Sequence, residues 1–105
     1  MHPHQEFKKM EKKSNKYQLN LKETALKDGS EATKSLQLNF DNHDDLFTIF
    51  EVIKAKNIFN DESTSYEFAL GLKLFTEVLL KNKQNPLFED LRPAIAAFMK
   101  KLKSE

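Results

Sequence analysis

From Tyr17 the chain alternates. Tyr17, Leu19 and Leu21 are separated by Gln18 and Asn20, and after Lys27-Asp28-Gly29-Ser30 the alternation resumes as Leu36, Leu38 and Phe40 against Ser35, Gln37 and Asn39. A period of two puts successive side chains on opposite faces of a strand, so Lys16 to Phe40 predicts one β-hairpin with an apolar face and a wet face. Asp28-Gly29 marks the turn, because that pair accepts positive φ. Weak patterning from Ser30 to Lys34 predicts a connection longer than two residues.

At Asn42 the period changes to 3.6. Asn42 is expected to cap a first helix, with Asp45 three residues on in the capping-box position. Leu46, Ile49, Phe50 and Ile53 then share one face, with Phe47 and Val52 on its shoulders, and the pattern breaks near Asn57. Ile58 and Phe59 precede a second start at Asn60-Asp61-Glu62. The second helix, about Glu62 to Lys81, is apolar over a wide arc through Phe68, Gly71, Leu72, Leu74, Phe75, Val78 and Leu79, while Tyr66, Leu70 and Leu80 flank the opposite side. Such a helix is contacted from more than one direction. Phe75 lies mid-arc, and its truncation to Ala is expected to cost about 3–5 kcal/mol through lost transfer energy and a cavity. Gly71 is unfavourable mid-helix by up to about 1 kcal/mol relative to Ala, and close approach of another backbone is the expected compensation.

Asn85-Pro86 opens a third helical segment in which Leu87, Phe88, Leu91, Ile95, Phe98, Met99 and Leu102 fall on one face. Pro93 is opposite that face. If Asp90 re-caps the chain, Pro93 sits in a new first turn, where its missing N–H breaks no bond. The expected fold class is therefore α+β, in the order β-β-α-α-α, with the hairpin packed on the helices. Residues 16–103 are read as a single domain and residues 1–15 as a mobile, lysine-rich tail.

Composition narrows the chemistry. In 105 residues there is no cysteine, no tryptophan and only two glycines, which excludes disulfides, thiolate chemistry and a glycine-rich phosphate loop. The absence of cysteine fits a reducing cytoplasm. No apolar run approaches the roughly 20 residues that span a bilayer, and the start MHPHQEFKKMEKK lacks the apolar stretch of a secretory signal.

Charge is unevenly spread: five lysines against two glutamates in residues 1–16, seven acids against two lysines in 41–67, and seven bases against four acids in 68–105. The acidic middle falls at two predicted helix N-termini, where the macrodipole favours anions. Lys100, Lys101 and Lys103 complement a helix C-terminus in the same way, and with no basic recognition helix, nucleic acid is not an expected partner.

Several stretches carry a resemblance. Asn42-His43-Asp44-Asp45-Leu46-Phe47, the run Ala69-Leu70-Gly71-Leu72-Lys73-Leu74-Phe75-Thr76-Glu77-Val78-Leu79-Leu80-Lys81-Asn82, and Pro86-Leu87-Phe88-Glu89-Asp90-Leu91-Arg92-Pro93 with Phe98-Met99-Lys100 resemble a family of short bacterial proteins known only as a domain of unknown function. The resemblance covers about Lys16 to Lys103; the lysine-rich start departs from it. It implies a bacterial, soluble, stand-alone domain and brings no catalytic motif.

Candidate sites are few. His43, Asp44 and Asp45 form the one cluster mixing imidazole and carboxylates, but side chains about 100° apart on a helix do not converge, so neither a metal nor a catalytic role is assigned. His2 and His4 could hold copper or nickel with a terminal amine, incidentally in a tail. Ser63 and Ser65 fall in a helix start, so no Ser–His–acid triad is read. On the second helix Lys73, Glu77 and Lys81 form an i, i+4 ladder beside Tyr66, Leu70 and Leu80. That mixture of Tyr, Leu and charge resembles an interface rim, so Tyr66, Leu70, Lys73, Glu77 and Leu80 are the candidate interface. The expected function is a non-catalytic protein-interaction or regulatory module without cofactor. It is expected to form a homodimer, partly because a lone hairpin leaves two sheet edges open. An unidentified second protein partner is compatible with this reading. The competing expectation is a small-molecule binding protein or enzyme with a pocket between hairpin and helices, lined by His43 and Tyr17.

Overall fold

A computed structural model describes residues 14–105. The charged segment 1–13, which holds most of the expected tail together with His2 and His4, lies outside the described residues. The described chain runs as two strands followed by three α-helices, the expected α+β order, and it divides into two compact units between Asp44 and Asp45.

The first unit is the hairpin. Strands β1 (Asn15–Lys22) and β2 (Ser35–Asn42) pair antiparallel with Tyr17 opposite Phe40, Leu19 opposite Leu38 and Leu21 opposite Leu36. This register puts all six apolar side chains on one face, as the alternation required. The Tyr17 and Phe40 rings stack with centroids 5.6 Å apart. Toward the turn the face is open to solvent: Leu21 and Leu36 are more than half exposed.

The connection spans residues 23–34 and is not a two-residue turn. Gly29 does take positive φ, at 80°, and the Asp28 carboxylate accepts from the Ser30 amide (2.9 Å) and hydroxyl (2.7 Å). The loop is closed at its base instead, where Glu23 Oε1 accepts from the amides of Thr33 (3.1 Å) and Lys34 (3.0 Å). The Glu23 amide donates to the Lys34 carbonyl at 2.9 Å, so the backbone makes half of the next rung and the Glu23 side chain takes the return bond.

The second unit is helical. Helix α1 (Leu46–Lys56) begins one turn later than expected: its N-cap is Asp45, whose carboxylate accepts from the Phe47 amide at 3.0 Å. Asn42 instead completes β2 opposite Asn15, and its buried side chain accepts from the Asp44 amide at 3.0 Å. Strand pairing extends through Asn42, so the residue is not available as a cap. Asn57 ends α1 in the left-handed region at φ 53°, a conformation asparagine tolerates better than most residues.

Helix α2 (Glu62–Lys81) has the expected bounds. Its N-cap Asp61 accepts from the Thr64 amide at 3.0 Å and also from the Thr64 hydroxyl. Those bonds hold the Asp61 carboxyl below its ordinary value of 3.8. A depressed native pKa means stability that is present above the unfolded value and is lost as pH falls through the native one. Asp61→Asn keeps a capping oxygen but cannot titrate. On acid titration from pH 6 to pH 3 the variant should therefore lose less stability than the parent, as read by denaturant midpoints; parallel losses would contradict this assignment.

After a 3-10 turn at Pro86–Phe88, helix α3 (Leu91–Ser104) restarts after Asp90 and holds Pro93 in its first turn. Asp90 occupies the cap position without a side-chain cap bond. The core of this unit is small. Ile53 from α1, Ala69 from α2 and Leu102 from α3 are buried together, with Ile49, Phe50, Phe68, Leu72 and Met99 packed around them. Ala69 is fully buried, and α1 packs along α2 at this small residue.

Two expectations about α2 need correction. Phe75 is not in this core: it is 39% exposed, and its aromatic neighbour is the edge-on ring of Phe88, 6.3 Å away. Gly71 is not met by another backbone, since a Cβ built there would find nothing within 4 Å. The wide apolar arc is therefore covered only in part by the chain's own helices.

Candidate interaction surface

Helix α2 is the element from which the surface is built. Its core side carries Ser65, Ala69 and Leu79, all buried. Polar side chains on the helix are satisfied by the helix itself: Ser65 Oγ donates to the Asp61 carbonyl (3.2 Å) and Thr76 Oγ1 to the Leu72 carbonyl (2.8 Å). At about 100° per residue, Tyr66, Leu70, Lys73, Glu77 and Leu80 form one flank, while Gly71, Phe75 and Val78 form another.

The structure distributes the first flank unevenly. Tyr66 tilts against Phe50 with centroids 5.6 Å apart, and Phe50 meets Phe47 edge-on at 5.5 Å. These rings and Leu70 line an open groove of about 490 Å³ rimmed by Glu51, Ser63 and Glu67. Leu80 is 47% exposed and is not among the groove's lining residues; Lys73 and Glu77 are partly buried. The five residues therefore share a helix face, but only Tyr66 and Leu70 are brought together in a concavity. On the second flank Gly71, Phe75 and Val78 are all exposed.

The polar cluster takes local structural roles. Asp45 caps α1. The Asp44 carbonyl accepts from the Tyr17 hydroxyl and from the Asn15 side chain, each at 3.1 Å. His43 Nε2 lies 3.7 Å from the Asp44 carboxylate, an ion pair when the imidazole is protonated. Among the described residues, no group of three or more acidic or histidine side chains is placed to hold a metal ion.

One functional-looking group escaped the sequence reading. Arg92, the chain's single arginine, reaches from α3 to the end of α2, where Nη1 donates to the Leu79 carbonyl at 3.0 Å and Nη2 to the Asn82 carbonyl. Its guanidinium also lies over the Phe88 ring at 6.0 Å. A cation there meets the negative end of the helix dipole and adds a second donor to carbonyls that already accept from the Asn82 and Asn85 amides. Only the i, i+13 separation from Leu79 would have hinted at it, and that has no local signature.

At the other end of α2, Lys54 pairs with Glu62 (3.1 Å) and Glu51 (3.4 Å). The Glu62 bond, then the Glu51 charge, hold the ammonium pKa above its ordinary range. Beside this pair lies a polar groove of about 310 Å³ lined by Asn57, Asn60 and the capping Asp61. Its polar groups largely serve the α1–α2 turn.

Comparison with known proteins agrees with this architecture. A protein of unknown function from Pectobacterium atrosepticum, known from its crystal structure, is 33% identical, with the match covering 88% of this chain and 99% of the other at a TM-score of 0.76. No curated protein sequence matches the chain. Among the described residues, no helix is long and apolar enough to cross a membrane. Residues 15–104 match the family DUF3861, a domain of unknown function with a solved structure, and the chain belongs to that family.

Proposed function

We propose that this protein is a non-catalytic interaction or regulatory module that self-associates. The observation that carries the reading is the amount of large apolar surface left uncovered. Leu21, Leu36 and Leu38 stand out on the hairpin, and Phe75, Val78, Leu80 and Leu87 on the helical unit, with Leu87 77% exposed. On the helical unit Phe75 and Val78 lie on one flank of α2, and an exposed apolar patch of this kind marks an interaction surface. A homodimer at micromolar concentration is the simplest assembly, because a two-fold contact uses one self-complementary patch on each subunit.

The pocket-based alternative has less support. The groove lined by Asn57, Asn60 and Asp61 has its polar groups engaged in caps and in the Lys54–Glu62 pair, and the Tyr66–Leu70 groove is open and lined largely by aromatic rings. Light scattering and sedimentation from about 1 to 100 µM test the proposal, a range that spans association free energies of about 5.5–8 kcal/mol. A mass that rises to that of a dimer supports it. A strict monomer throughout the range overturns it.

A further inference from the structure

We propose that the second copy docks on the exposed flank of α2, antiparallel to it, with Phe75 of each subunit seated over Gly71 of the other. This rests on the self-association reading and names the surface that performs it.

Phe68, Gly71, Phe75 and Val78 recur at intervals of three, four and three residues, the seam pattern of paired helices. None of the four is charged. Phe68 is partly buried against Phe59 and Phe98, and Phe98 is itself 42% exposed, so it widens the patch toward α3. Phe75 is 39% and Val78 48% exposed.

The pattern is complementary to itself in one orientation. Place a two-fold axis at the level of Lys73, across the helix. Gly71 then faces Phe75 of the other copy, and Phe68 faces Val78. The empty space above Gly71, where a Cβ would meet nothing, receives the ring. Large against small at facing positions is how helix layers interdigitate. The axis falls within two residues of the midpoint of Glu62–Lys81, so about 25 Å of helix can pair.

Charge agrees with the same register. In antiparallel pairs the residues just before the seam flank one another. Here these are Glu67, Leu74 and Lys81. Glu67 meets Lys81 of the other copy at each end, and Leu74 meets its own counterpart near the axis. In a parallel pair this row would instead meet positions 72 and 79 of the other copy, leucines that pack toward the subunit's own core, so Glu67 would find no opposite charge. The helix therefore carries acid and base at the positions that favour an antiparallel second copy, and this is what selects the occupant.

The test uses the full chain. Gly71→Gln adds a side chain where the subunit has open space and replaces the poorest helix former but proline by a good one. It should raise the melting temperature in dilute, monomeric protein. It should also weaken dimerisation by at least about tenfold, because it fills the seat of Phe75. Opposite signs in the two measurements are what a merely structural role would not produce. Glu67→Lys should also weaken the dimer, and Glu67→Lys with Lys81→Glu should restore it. Unchanged dimerisation in Gly71→Gln overturns the proposal. So does loss of the dimer through Leu70→Glu or Gln37→Pro instead, which would move the contact to the Tyr66–Leu80 flank or to the sheet edge while leaving self-association intact. A wild-type protein monomeric at all concentrations, with this face taken by an unrelated protein, overturns both readings.

Discussion

Ile53→Ala is expected to destabilise the helical unit by about 2–5 kcal/mol, the range for removing a buried branched side chain and leaving a cavity. Ile53 is 4% exposed and is buried together with Ala69 and Leu102, so one side chain links all three helices. For a domain with about 5–15 kcal/mol of stability, this loss would remove a large part of the margin. Urea unfolding followed by far-UV circular dichroism would measure it. Val52→Ala is the control: Val52 is 46% exposed, and its truncation should stay within about 0.5 kcal/mol, as for ordinary surface changes. Phe75→Ala belongs between the two in dilute protein despite its larger ring. Equal effects at Ile53 and Val52 would mean that the core is not where the structure puts it.

Arg92→Leu is expected to cost about 1.5–3 kcal/mol, the range for hydrogen bonds made by a charged group. The loss has three sources. The carbonyls of Leu79 and Asn82 lose their side-chain donor, the end of α2 loses a favourable charge, and the Phe88 ring loses its cation. Arg92→Lys should recover only part of this, because an ammonium cannot span two carbonyls with a fixed planar fork. Denaturation gives the energy, and amide hydrogen exchange gives the place. Protection should fall first in the last turn of α2 and the 3-10 turn that follows it. A lysine variant indistinguishable from the parent would reduce the role of Arg92 to simple charge. A leucine variant within about 0.5 kcal/mol of the parent, the range of an ordinary surface change, would remove the role.

The element order and the span of α2 were legible in the sequence because both are set by local periodicity and start signals. Alternation from Tyr17 to Leu21 and from Leu36 to Phe40 can only put one set of side chains on one face, and the observed register follows from it. Asn60-Asp61-Glu62 announces a helix start whose cap bonds lie within four residues. Pro93 could be placed in a first turn because its missing N–H allows few other positions.

What tertiary structure decided is where non-local contacts compete with local ones. Asn42 carries a good capping side chain, yet pairing with Asn15 keeps it in the strand and passes the cap to Asp45. Phe75 and Ile53 look alike as apolar positions in amphipathic helices. Only the packing of three helices makes one buried and leaves the other at the surface. The role of Arg92 depends on α3 folding back to the end of α2, a contact with no periodic signature. The candidate surface divides in the same way. Periodicity alone makes α2 apolar around more of its circumference than one neighbour can cover. Which arc stays open is set by how the three helices pack, because hydrophobic periodicity reports which residues favour burial but not which partner is present to bury them.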